Sequence, residues 1–367
     1  MDSDRTRSGA EASAPGTGEI IGVSDLVLVT GSTGFLGARV VTSLLNRGFR
    51  NIRCFTRRSS GLDGFDVMVG GQHAAGVDVI RGNLLSRDDC IKATKDVAVI
   101  YHLAAGTGEK SFPDAFMNSV LTTRNLLDAA LGHGVLRRFV NVSSFAVYTN
   151  RNKPHRGLLD ESCPIEAHPE RRGEAYCFAK VKQDELVVGY GTKHGIPYVL
   201  VRPGSVYGPG QRGITGRVGS GAFGIFLHLG GTNVIPFTYV DNCAEAIVLA
   251  GIRKGVDREV LNVVDDDLPT SRQFLRLYKR HVRPFRSIPV PRLVSYLLCA
   301  AWEKYSTWSE GQLPPVFNRR TWHAYWKGSR YTNTKLKALL GWTPDVTTAE
   351  GLRRYFESCR IRERDVS

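Results

Sequence analysis

Asp25-Leu-Val-Leu-Val-Thr30-Gly31-Ser-Thr-Gly34-Phe-Leu-Gly37-Ala-Arg-Val-Val41 carries a short apolar run into a glycine-rich turn and out into an amphipathic helix. Leu26 to Val29 reads as a fully buried parallel strand. After the glycines, Leu36, Val40, Val41, Leu44 and Leu45 recur at helical spacing. In a turn of this kind one glycine makes the tight bend, one lets backbone approach a pyrophosphate, and one lets the helix pack on the strand. The helix N-terminus then offers N–H groups and the positive end of its dipole to phosphates. The strand before the glycines and the helix after them are the context that such a motif requires.

Working outward, Asn51-Ile-Arg-Cys-Phe-Thr-Arg57-Arg58 reads as a second strand ending in two arginines. In a dinucleotide fold that strand end meets the adenosine ribose, where an acid suits the 2′-OH of NAD and an arginine the 2′-phosphate of NADP. Arg57 and Arg58 stand where the acid would be, so NADP(H) is favoured and NAD(H) is the alternative. Val77 to Leu84 gives a third strand and its exit turn, with Asn83 placed to pair with the adenine edge. Val97-Ala-Val-Ile-Tyr-His102-Leu-Ala104-Ala105 is a fourth, its small residues leaving room for a cofactor across the sheet. His102, beside Ala104 and Ala105, is expected to be structural. The next helix carries Asn118, Thr122, Thr123 and Asn125, with Leu126, Leu127 and Ala130 on its buried side. This alternation predicts an α/β protein with a doubly wound parallel sheet.

At 367 residues the chain can bury a large core and an added lobe. No apolar run approaches the ~20 residues that span a bilayer, and Met1 to about Gly18 reads as disordered rather than as a leader. Seven scattered cysteines without a Cys-x-x-Cys pair predict free thiols and a cytoplasmic protein, and the nine histidines lack ligand spacing, so no metal is expected. The net charge is +14, with much of the excess after Thr270. Nucleic acid, an anionic membrane surface or anionic ligands would each suit it; without a nucleic-acid-binding motif, a solvated basic face is preferred and no nucleic acid is expected.

The chemistry is expected at two places. Phe139-Val-Asn-Val-Ser143-Ser144 is a fifth strand that runs into polar residues at its carboxyl end, where ligands bind in open α/β sheets. Tyr176-Cys-Phe-Ala-Lys180 opens a helix, and positions four apart share a face. A neighbouring ammonium and an oxidised nicotinamide favour the phenolate. The phenolate then accepts a proton from a substrate hydroxyl as hydride leaves the same carbon, while Ser144 holds the substrate oxygen.

Together these segments resemble the extended short-chain dehydrogenase/reductase superfamily, the NAD-dependent epimerase/dehydratase group that includes 3β-hydroxysteroid dehydrogenases. The carrying residues are Thr30-Gly31-Ser-Thr-Gly34-Phe-Leu-Gly37, His102-Leu-Ala-Ala105, Ser143-Ser144-Phe-Ala-Val-Tyr148, Tyr176-x-x-x-Lys180 and Arg202-Pro-Gly-Ser-Val-Tyr-Gly-Pro-Gly210. Tyr239-Val-Asp-Asn242 and Leu340-Gly-Trp-Thr-Pro344 follow later, so the likeness runs from about Asp25 to Leu352. It implies a Rossmann core over 23–203, a smaller substrate-binding lobe over 204–355 interleaved with the last core elements, a disordered tail over 1–22 and a basic tail over 356–367. It implies a catalytic set of Ser144, Tyr176 and Lys180. The expected cofactor contacts are Gly31, Thr33, Gly34, Phe35, Leu36, Gly37, Arg57, Arg58, Asn83, Leu84, Leu103, Ala104, Ala105, Tyr176, Lys180 and Pro203.

Departures from the family pattern bear on the substrate. Dehydratases of the group resemble Asp-Glu after the serine; Phe145-Ala146 here offers no acid to expel water. Many nucleotide-sugar enzymes place an arginine six residues before the Asp of Tyr-Val-Asp, where this chain has Ile235; Arg212 or Arg217 would have to replace that charge. The family's usual Asn after the fourth strand is Ser119, with Asn118 one place earlier. The expected function is NAD(P)-dependent interconversion of a secondary alcohol and a ketone on a sugar-nucleotide or steroid-like small molecule. The alternative is a nucleotide-sugar epimerase with tightly bound NAD; a non-catalytic cofactor sensor is disfavoured by the intact catalytic set. Relatives are often dimers, so a homodimer is possible. Gly210 to Gly231 reads as a flexible loop and helix over the pocket. Leu293 to Trp302, between Arg292 and Lys304, reads as a helix capping the pocket, with an interfacial helix at a membrane surface as the second reading.

Overall fold

The computed structural model describes residues 18–71, 75–106, 111–211, 213–222, 224–309, 312 and 317–364. The apolar runs form seven strands: β1 (Val27–Thr30), β2 (Ile52–Arg57), β3 (Val77–Gly82), β4 (Val99–His102), β5 (Arg138–Val142), β6 (Tyr198–Pro203) and β7 (Val260–Val263). They make one sheet in the order β7-β6-β5-β4-β1-β2-β3, every pair parallel. Helices Gly37–Asn46, Val240–Ile252 and Thr334–Leu340 cover one face. Arg87–Thr94, Thr122–His133 and Ala175–His194 cover the other. With both faces covered, β1, β4, β5 and β6 are buried throughout, which is why they lack the alternation of a one-sided sheet. This is the doubly wound Rossmann arrangement that the opening stretch predicts, and the strand order reverses between β1 and β4.

That reversal positions the site. Gly31 follows β1 with a φ of +71°, a conformation that favours glycine, and a Cβ there would sit 2.9 Å from Ala104 N. A Cβ on Gly37 would come 2.0 Å from Gly31 O, so the helix starts where only glycine fits. No side chain caps that helix, which leaves its first N–H groups without a side-chain acceptor. After β4 the chain makes a short helix at Phe112–Ala115, a π-helical turn at Phe116–Leu121, and the long helix from Thr122. The sequence reading gave one continuous helix.

Beyond β6 the chain builds a smaller lobe around Tyr207, Phe237, Tyr239, Phe274, Tyr278, Tyr355 and Phe356. Its helices are Ser271–His281, Arg292–Trp308, Arg319–Tyr325 and Thr348–Arg364. Three expectations change here. Gly210–Gly231 holds an antiparallel pair, Gly219–Ala222 with Ile225–His228, in place of a helix; Gly219 admits it because a Cβ would lie 1.9 Å from Leu227 O. The disordered tail expected to residue 22 is ordered from residue 18, where Ile20 N donates to Ile252 O and Ile21 is buried; residues 1–17 lie outside the described residues, as does Arg212. The basic tail expected from residue 356 continues a helix to Arg364, because Phe356 and Cys359 anchor it in the aromatic cluster.

All seven cysteines are buried thiols. Among the described residues no helix is long and apolar enough to cross a membrane. Nor do three His, Cys, Asp or Glu side chains among them stand together as a metal site.

Candidate active site

A cleft of about 820 Å³ opens at the carboxyl ends of the central strands, where the order reverses. Its floor is the glycine turn, with Gly31, Thr33, Gly34, Phe35, Leu36 and Gly37 all on the wall. Arg57, Asn83, Leu84, Leu103, Ala104, Ala105 and Pro203 line it further along, and Ser144, Tyr176 and Lys180 close the far end. Of the residues expected from sequence, Arg58 alone does not line it; its carbonyl accepts Arg81 Nη1 at 3.1 Å on the outer side. No Asp or Glu is among the described residues that line it. A long cleft over a helix N-terminus without a side-chain cap, with one arginine at the end of β2, suits a ligand with several phosphates. The carboxamide oxygen of Asn83 accepts Leu85 N at 3.0 Å, so only its NH2 end is left to donate to a base.

Tyr176 stands in the first turn of the Ala175–His194 helix, one turn before Lys180. Burial pushes its phenol above the ordinary value, while a hydrogen bond with Ser144 pulls it down. Ser144 follows β5 in extended backbone, and its hydroxyl also accepts Ala146 N at 3.1 Å. Lys180 is buried, and desolvation lowers its ammonium to about 8 against the opposing pull of Asp184. Its Nζ donates to Val142 O at 2.6 Å and to Gln183 Oε1 at 2.9 Å, which leaves one N–H for the cleft. The sequence reading looked to a neighbouring ammonium to favour phenolate; here the ammonium is held from behind, and Ser144 is the group that acts on the phenol.

Behind these residues lies a buried polar layer that sequence reasoning missed. Gln183 Nε2 donates to Thr123 Oγ1 at 2.7 Å, and Thr123 Oγ1 lies 2.8 Å from His102 Nε2. His102 Nδ1 is 2.8 Å from Thr30 Oγ1, and burial lowers the imidazole to about 3. His102 is thus a neutral structural histidine. Asp184, also buried, accepts from Asn141 Nδ2 (3.0 Å), Ser143 Oγ (2.8 Å) and Arg202 Nη2 (2.9 Å). Burial raises this carboxyl and Arg202 lowers it. A signal was present: Gln183 and Asp184 stand three and four residues after Lys180, on its helix face.

The π-helical turn accounts for the Ser119 departure. Ser119 Oγ accepts Gly106 N at 3.0 Å and tethers the loop after β4, while Asn118 and Thr122 line the cleft. Widened turns of this sort recur at functional sites. Phe145 and Ala146, where a dehydratase would need acids, are buried. Arg217 donates to Ala324 O at 3.1 Å and lies 5.1 Å from the Tyr325 ring, so it does not line the cleft.

Comparison with known proteins bears on this geometry. The model of the NAD dependent epimerase/dehydratase family matches residues 27–263. An Arabidopsis thaliana 3beta-hydroxysteroid-dehydrogenase/decarboxylase isoform 2 is 24% identical over 362 residues, 90% of this chain and 61% of the relative. A 3 beta-hydroxysteroid dehydrogenase/Delta 5-->4-isomerase of Mycobacterium tuberculosis is 31% identical over 194 residues, 51% of this chain and 48% of the relative. The chain therefore spans less than two thirds of either relative's length. A UDP-glucuronic acid 4-epimerase from Bacillus cereus, solved with UDP-glucuronic acid and NAD, superposes with a TM-score of 0.69 at 21% identity, covering 92% of this chain and 99% of that one.

Proposed function

The chain belongs to the NAD-dependent epimerase/dehydratase family, and from that premise we propose that it is an NADP(H)-linked oxidoreductase interconverting a secondary alcohol and a ketone. The observation that carries this reading is that Ser144, Tyr176 and Lys180 share one cleft with the glycine turn and Arg57. Gly31, Gly34 and Gly37 hold the pyrophosphate and Arg57 pairs with the 2′-phosphate; an arginine at the end of β2, with no carboxylate among the described lining residues, favours the extra phosphate over a bare 2′-OH. The bound nicotinamide gives or takes the hydride.

This chain's residues manage the proton and the orientation. Ser144 Oγ holds the substrate oxygen, and the Tyr176 phenol exchanges a proton with that oxygen as the carbon changes oxidation state. Lys180 anchors the cofactor ribose with its remaining N–H, while the Ser144 hydrogen bond lowers the cost of phenolate formation. The lobe from residue 204 closes over the substrate. A steroid-like or other apolar alcohol is favoured over a nucleotide sugar, because among the described residues neither Ile235 nor Arg217 offers the cleft a cation for a substrate diphosphate, Arg212 lying outside them.

Stopped assays with NADPH and NADH against steroid and nucleotide-sugar ketones test the reading. NADPH oxidation with an apolar ketone supports it. Protein that retains NAD through purification and turns a nucleotide sugar over with no net change in nicotinamide absorbance is an epimerase, and the proposal then fails.

A further inference from the structure

Helix Arg292–Trp308 is inside out. Its buried residues are Ser295, Cys299 and Ser306, whereas Leu293 (69% exposed), Leu297 (56%), Leu298 (58%), Tyr305 (50%) and Trp308 (75%) face solvent. Ser295 is held inward by Trp322, whose Nε1 donates to Ser295 Oγ at 2.9 Å. The orientation is thus fixed by a specific bond and by packing of Cys299 on Trp322 and Trp326. At 100° per residue, positions 293, 297, 298, 305 and 308 fall within one arc of the helix, and Lys304 lies inside the same arc. The Tyr305 and Trp308 rings stack with centroids 5.6 Å apart at the exposed C-terminal end.

The stretch of sequence that carries this helix is strongly basic. Between Ser271 and Trp308 the sequence holds eight Lys and Arg (Arg272, Arg276, Lys279, Arg280, Arg283, Arg286, Arg292, Lys304) against one acid, Glu303. Glu303 is itself paired with Arg319 at 2.9 Å. Ile288, 51% exposed, extends the apolar surface onto the short strand just before the helix. An apolar helical face with exposed Trp and Tyr, a lysine able to snorkel, and a basic surround matches the physical requirements for lying in the headgroup layer of an anionic bilayer. A second copy of the chain would bring the same basic surround against itself, which opposes pairing through this face.

We propose that helix Arg292–Trp308 seats the substrate lobe on an anionic lipid surface, with Leu293, Leu297, Leu298 and Trp308 entering the acyl boundary and the surrounding arginines and Lys304 meeting the headgroups. The proposal is independent of the catalytic reading, since none of these residues lines the cleft.

Co-sedimentation of the purified chain with vesicles of phosphatidylcholine alone, or of phosphatidylcholine with phosphatidylglycerol, tests it. The wild type pellets with the anionic vesicles and is released by added salt; Leu297→Glu binds about tenfold more weakly, and Lys304→Glu weakens binding to anionic vesicles. Both variants keep the wild-type melting temperature, so a folding defect cannot imitate the loss. A wild type that stays in solution with both vesicle types, equal binding to both, or a self-association removed by Leu297→Glu in a protein that never binds vesicles overturns the proposal.

Discussion

Two helices of this protein break the rule of apolar inside and polar outside, in opposite directions. Ala175–His194 buries Lys180, Gln183 and Asp184; Arg292–Trp308 buries serines and exposes leucines. In the first, each buried polar group has a partner: Lys180 bonds Val142 and Gln183, and Asp184 bonds Asn141, Ser143 and Arg202. In the second, Leu293, Leu297 and Leu298 belong to no packed cluster among the described residues. Burying charge costs several kcal/mol unless it is paired, and exposing apolar surface forgoes stabilisation of about 25 cal/mol per Å². A fold that retains both departures spends them differently: the first helix supplies the partners from inside, and the second, on the lipid-surface proposal, takes one from outside.

The comparison is broken most severely at its catalytic end. Tyr176→Phe should lower turnover by roughly 10²–10⁴-fold, the ordinary range for removing a proton-transfer group, while cofactor affinity by fluorescence titration changes little. Equal loss of both would make the phenol structural. Asp184→Ala leaves Arg202 buried without its carboxylate, and denaturant unfolding should show a loss of about 3–5 kcal/mol. If that variant keeps its stability, the polar layer behind the cleft is not what holds the helix in register.

Smaller effects sharpen the same contrast. Arg57→Asp should shift preference from NADPH towards NADH by roughly tenfold to a hundredfold in kcat/KM, the worth of one charge-assisted hydrogen bond; an unchanged ratio removes Arg57 from the 2′-phosphate. Lys180 carries a pH signature. Its ammonium sits at about 8 in the fold against 10.5 as a free side chain. Between those values the unfolded chain binds the extra proton, so this lysine's contribution to stability rises with pH across that window. On the proposed role of Lys180, activity runs the other way, because a charge at the cofactor ribose would be lost as pH passes about 8. A pH–rate profile should fall there and recover in Lys180→Arg, and the fall should be absent if the amine has no part in the site.

Much of this molecule was legible from sequence where the signal is local. The glycine turn could be read because sterics at Gly31 and Gly37 admit nothing larger, and the Tyr176–Lys180 pair because a helix repeats nearly every four residues. His102 was read as structural from its small neighbours, and it is held between Thr30 and Thr123. The rest depends on contacts far apart in the chain. Asp184 looks like a surface acid until Arg202, on the next strand, is beside it. The π-helical turn carries the Ser119 tether to Gly106, and periodicity does not reveal it. The apolar run Leu293 to Trp302 predicts a helix but not which way it turns; that direction is set by Trp322 bonding Ser295.

That last point gives the smallest effect and the finest test. In an ordinary amphipathic helix, Leu→Ser at the apolar stripe removes core packing and costs about 2–5 kcal/mol. Leu297 and Leu293 are more than half exposed, so Leu297→Ser and Leu293→Ser should each change unfolding free energy by no more than about 0.5 kcal/mol in the absence of lipid. Cys299→Ser, one turn from Ser295 and packed on Trp322, should cost measurably more although it is the milder change in size. If the order is reversed, with the leucines expensive and the cysteine cheap, the helix is turned the other way in solution. The two departures from the inside–outside rule would then reduce to one, at the catalytic cleft.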